Sequence, residues 1–131
     1  MIKEMQHKEL TERIISAAYT VYNTMGFGFL ESVYEKYLLI ELKKDNIRAE
    51  SQKPVTVKYR NEIVGEFKAD IIVEDTVILE LKSIKQIVQA HEVQLVNYLV
   101  ATGKPVGFLL NFGEQKVEVK RKVRELKDIS I

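Results

Sequence analysis

The chain has 131 residues, 46% of them hydrophobic and 30% charged, the length and balance of one folded domain rather than a disordered segment. It contains no cysteine, which excludes a disulfide framework, a thiolate zinc site and a cysteine nucleophile, and suits a reducing cytoplasm. With 20 Lys and Arg against 19 Asp and Glu the formal net charge is +1, so any grip on nucleic acid must come from local clustering.

From Leu10 to Met25 the apolar residues Ile14, Ile15, Ala18, Val21, Tyr22 and Met25 recur at helical spacing, with Gly26 placed to end the helix. The start, Met1 to Leu10, is charged rather than signal-like. No apolar run approaches the roughly 18 residues of a membrane helix, so a cytoplasmic single domain over residues 1–131 is expected. After Gly26-Phe27-Gly28 a second helix reads from about Leu30 to Lys44, its stripe made of Leu30, Val33, Tyr34, Tyr37, Leu38 and Leu42. Tyr19, Tyr22, Tyr34 and Tyr37 follow these stripes and read as core.

The period then changes to two. Val55, Val57 and Tyr59 alternate with polar residues, an Asn61-Glu62 turn follows, and a long strand runs from about Ile63 to Val73. A tight turn at Glu74-Asp75-Thr76 leads into a strand from Val77 to Lys82. A helix from about Ile87 to Ala101 is closed by Thr102-Gly103, and strands at about Val106 to Asn111 and Lys116 to Val123 complete the chain. The order α α β β β α β β, with hairpins before one helical crossover, describes an α/β fold with a mixed central sheet flanked by helices.

The informative stretch is Phe67 to Lys82. Alternation places Phe67, Ala69, Ile71 and Val73 on one face and Lys68, Asp70 and Ile72 on the other; in the next strand Ile78, Glu80 and Lys82 share a face. Turning about Asp75 sets Asp70 opposite Glu80, and a slip of two sets them diagonally; either way two carboxylates share a face inside strands that are otherwise apolar on both faces, as central strands are. Two such acids repel each other and lose hydration, and a proton, a cationic side chain or a metal must compensate. Lys82, on the same face, is one candidate partner. A divalent cation is the other, and hard oxygen ligands suit Mg²⁺ or Mn²⁺. A lysine beside such a metal would serve phosphodiester hydrolysis by helping to activate water and by countering phosphoryl charge.

Asp70 followed after a turn by Glu80-Leu81-Lys82 resembles the signature of the PD-(D/E)XK nuclease superfamily. Gly28-Phe29-Leu30-Glu31-Ser32-Val33-Tyr34 resembles the motif that names its GxxExxY branch, and Gln94-Leu95-Val96-Asn97-Tyr98 resembles the QxxxY element of its RecB-like exonucleases. Together these cover about Leu10 to Val119. The resemblance implies a restriction-endonuclease-like core of α β β β α β and a metal-dependent nuclease, with DNA as its partner. It further implies Glu31, Asp70, Glu80 and the Leu81 carbonyl as metal ligands, Lys82 as the catalytic lysine, and Gln94 and Tyr98 as residues placing the substrate or the lysine. The chain departs from the pattern at Ala69-Asp70, where the named signature has proline before aspartate.

Each residue also has a plainer role. Glu31 lies in a first helical turn, where the dipole favours any acid. Gly26 and Gly28 are a helix stop and a turn. His91 shares a helix face with Gln94 and Tyr98, so it could approach the site or simply be packed. Lys116, Lys120, Arg121, Lys122, Arg124 and Lys127, diluted by Glu118 and Glu125, form either a basic patch or an edge strand protected by lysines. The functional expectations are therefore a nuclease, a non-cutting nucleic-acid or partner-binding module of the same fold, or a homo-oligomer joined through the last strand.

Overall fold

The computed structural model describes residues 2–124, with side chains from His7 onward. The elements are α1 (Ile2–Met25), α2 (Glu31–Lys44), β1 (Ala49–Tyr59), β2 (Glu62–Val73), β3 (Val77–Lys82), α3 (Gln89–Thr102), β4 (Val106–Phe112) and β5 (Val117–Val123). The order is the expected one. Helix α1 starts well before the periodic stretch, because residues 2–9 are good helix formers whose sequence shows no apolar stripe. Lys127 and Glu125 of the basic cluster lie outside the described residues.

The sheet runs β1-β2-β3-β4-β5, antiparallel except at β3–β4, which α3 connects as a crossover. Ile14, Ala18 and Val21 of α1 and Tyr34, Leu38 and Leu42 of α2 pack on Ile71, Val73, Leu79, Leu81, Phe108 and Leu110. Leu95 and Leu99 of α3 cover the opposite face at Ala69, Ile72, Ile78 and Leu109. Every residue of β4 is buried, as a strand covered on both faces should be. Gly107 lets α3 sit close: a Cβ there would stand 2.9 Å from Leu95 Cδ1 and 3.0 Å from the Ile78 carbonyl oxygen.

Three expectations are corrected. Tyr19 is exposed, and so are Met25 and Leu30, because α1 buries Ile14, Ala17, Ala18 and Val21 and turns the other side outward, while Leu30 precedes α2. The β1–β2 turn is centred on Arg60 and Asn61, both at positive φ, with Tyr59 paired to Glu62. The alternation in β2 breaks at Asp70: Phe67 and Ala69 pack on the α3 side with Ile72, while Ile71 and Val73 face α1 and α2. Across from the break, in β1, Gln52 adopts φ 52°, a left-handed kink within the strand.

The β1–β2 hairpin also outruns its neighbours. Only Ile71, Ile72 and Val73 of β2 are laddered to β3, and residues 58–66 at the far end are all exposed.

Candidate functional site

The pairs Val73↔Val77, Ile72↔Ile78 and Ile71↔Leu79 set the hairpin register, and one further step puts Asp70 across from Glu80. There the ladder stops. The Leu81 N–H donates to Asp70 Oδ2 at 2.8 Å, so the aspartate takes the place of a strand carbonyl and is fixed by backbone. Gln52, at the kink opposite, reaches Asp70 Oδ1 at 3.4 Å and donates to Glu35 Oε1 at 2.7 Å.

Glu80 stands against Asp70 with its Oε1 buried and without a hydrogen-bond partner. Burial pushes its carboxyl up to about 9, the charge and contact of Asp70 add to this, Lys82 opposes it, and Glu31 adds a further push. The ion pairs among the described residues are Lys53–Glu50, Lys104–Asp75 and Lys122–Glu92. Lys82 is in none of them, so the ion pair that would have made these acids purely structural is not formed. Half-buried in β3 two residues beyond Glu80, Lys82 makes no ion pair among the described residues.

The other candidates separate. Glu31 is exposed in the first turn of α2 and acts on Glu80 through its charge. Among the described residues no three His, Cys, Asp or Glu side chains cluster as a ligand set. Of Leu81 it is the N–H that is engaged, by Asp70. Tyr98 is half-buried, its ring stacked on Phe67 at 3.7 Å between centroids, and burial followed by the nearby Glu80 and Asp70 charges raises its phenol. Gln94, one turn earlier, is exposed and reaches toward the Tyr98 hydroxyl. His91 is not aimed at the acids: its Nδ1 accepts the Val88 N–H at 3.2 Å and so caps α3.

Glu35 and Gln52 went unnoticed in the sequence. Burial, then the Asp70 charge, raises the Glu35 carboxyl against the pull of Gln52. A signal for Glu35 existed, since it lies four residues after Glu31 on the same helix face. Gln52 carried none, because its left-handed backbone is set by the fold. The tyrosine of the Gly28 to Tyr34 motif is a structural post. Tyr34 is fully buried, stacks on Phe112 at 4.3 Å, donates to the Gly26 carbonyl at 2.6 Å and accepts the Phe29 N–H.

A divalent cation fits what these residues leave unmet. An orphaned buried oxygen beside a second carboxylate is a pair of hard donors lacking a counter-charge, and Mg²⁺ is commonly held by one or two carboxylates with water and substrate phosphate completing the shell.

The chain belongs to the PD-(D/E)XK nuclease superfamily, whose family model matches residues 8–122. None of the curated proteins matches it. Among solved structures, that of SSO0001 aligns with a TM-score of 0.56 and 19% identity over 72% of this chain and 50% of that one. This chain therefore spans half the length of that protein, and the likeness is one of fold. An alkaline exonuclease (LHK-Exo) from Laribacter hongkongensis aligns over 82% of this chain and 76% of its own, at 10% identity and a TM-score of 0.42. No described helix is long and apolar enough to cross a membrane.

Proposed function

We propose that the chain is a divalent-metal-dependent nuclease of the GxxExxY branch that hydrolyses phosphodiester bonds of DNA. The observation that carries this reading is the buried, unpartnered Glu80 oxygen beside Asp70, with a lysine on the same strand. Asp70 and Glu80 would hold Mg²⁺ or Mn²⁺. Bound there, the cation supplies Lewis-acid polarisation of water and of the scissile phosphate. The protein's own groups do the rest. The Leu81 N–H keeps Asp70 aimed, and Gln52 restrains it from the opposite strand. Glu80 would serve as a carboxylate ligand there, the positive charge compensating the pair as a proton does in the metal-free protein. The Lys82 ammonium offsets charge developing on the phosphoryl oxygens and orients the attacking water. The Tyr98 ring, stacked on Phe67, walls the α3 side of the carboxylates.

The test is hydrolysis of single- and double-stranded DNA with Mg²⁺ or Mn²⁺ by wild type, Asp70→Ala and Lys82→Ala. We expect Asp70→Ala to fall to background and Lys82→Ala to lose about 10²–10³-fold in kcat. A wild type inert on every polymer with both metals overturns the reading.

A further inference from the structure

We propose that the cleft beside Glu31 receives an unpaired nucleobase, which makes the substrate single-stranded or frayed-ended nucleic acid rather than intact duplex. The proposal deepens the nuclease reading and rests on it for the placing of the phosphate at Asp70, Glu80 and Lys82.

The cleft, of about 660 Å³, begins where the carboxylate site ends. One wall is the segment directly after Lys82, with Ser83, Ile84 and Lys85; the other is the turn from Phe27 into α2, which carries Glu31. It opens at the carboxyl ends of the parallel pair β3–β4, where α/β sheets take their ligands. Its volume is in the range of small-molecule pockets.

Its lining is apolar and aromatic where an exposed surface should not be. Phe27 is 56% exposed and Leu30 75% exposed, both facing the cleft over the buried Phe112. Large apolar side chains gathered at a concavity mark a binding surface. Bases stack on an exposed aromatic ring such as Phe27 whatever their sequence, since every base has a π-face, and Leu30 adds apolar contact beside it. A base within a duplex is already stacked and paired and enters a pocket only after extrusion at a cost of a few kcal/mol, so an unpaired strand offers one far more readily.

Both walls are held in place before any ligand arrives. The Ser83 hydroxyl donates to the Phe29 carbonyl at 3.0 Å, joining one wall to the other. Asn111, 1% exposed, accepts the Ile84 N–H and donates to the Ile84 carbonyl, each at 2.9 Å. A preformed pocket loses little freedom on binding. Cations continue the path of a strand. Lys85 lines both this cleft and an adjoining trough of about 380 Å³ that also carries Lys116. The trough also carries Glu114 and Glu118, the latter held by Asn111 and the Ile87 N–H, so its two lysines face two acids and base stacking in the cleft has to supply the strand preference.

The experiment measures fluorescence anisotropy in EDTA with oligonucleotides of roughly 12 nucleotides. The probes are a single strand, a blunt duplex and a single strand of abasic sugars. We expect the single strand to bind about 10-fold more tightly than the other two, and Phe27→Ala and Leu30→Ser each to remove most of that preference. Equal binding of single strand and duplex, an unaltered preference in both variants, or no binding of the single strand overturns the proposal. Hydrolysis with Mg²⁺ is scored separately. A strand preference without hydrolysis defeats the nuclease reading and leaves the pocket, whereas hydrolysis without the preference does the reverse.

Discussion

With its carboxyl raised to about 9 by burial beside Asp70, Glu80 holds a proton in the folded, metal-free chain over a pH range in which the unfolded chain has lost it. A group whose folded pKa is raised contributes stability that is fully present below its ordinary value of 4.5 and is lost as pH rises toward 9. The thermal midpoint of the metal-free protein should therefore fall as pH rises from about 5 to 9. Glu80→Gln, which cannot ionise, should remove most of that slope and raise the midpoint at pH 8 by several degrees. Millimolar Mg²⁺ should do for wild type what the substitution does, and should do nothing for Glu80→Gln. Differential scanning calorimetry at four pH values checks all three, and a flat wild-type profile would contradict the burial argument.

At the level of elements, the seat of α3 on β4 decides whether Tyr98 reaches the acids. Gly107→Ala would press a methyl group against Leu95 and against the Ile78 carbonyl, and the latter is backbone that cannot swing aside. A loss of about 1–3 kcal/mol in urea unfolding is expected, together with weaker stacking of Tyr98 on Phe67. What the sequence revealed of these elements follows from how each is stabilised. Strand β3 was legible to its last residue because burial on both faces leaves an unbroken apolar run in which Glu80 stands out. Parity narrowed the Asp70–Glu80 pairing to directly opposite or diagonal, and the register of Ile71 with Leu79 selects the first. The beginning of α1 could not be, since helix-forming polar residues carry no stripe. The switch of faces at Asp70 was hidden as well: it goes with the kink at Gln52 in the neighbouring strand, and no local pattern announces a left-handed glutamine. Glu35 became relevant only through that kink, which lets Gln52 bridge the helix and Asp70.

Across the whole molecule the near balance of charge limits how the chain can hold a polyanion. The described basic residues in and just after β5 are partly spent, Lys122 on Glu92 and Arg124 on the Gly103 carbonyl. Contact through Lys82, Lys85 and Lys116 alone gives a shallow salt dependence, with log K falling by about 2 per decade of salt on single strands. Titrations between 50 and 200 mM salt read this slope directly. A fall of more than about 5 per decade would mean that the β5 surface carries the binding instead.

The overhanging end of the β1–β2 hairpin bears on how this fold could diversify. Since residues 58–66 support nothing beneath them, that ribbon can be shortened, lengthened or grafted onto without disturbing the aspartate at its root. It offers evolution, or an engineer, a handle for attaching new target preferences to unchanged chemistry.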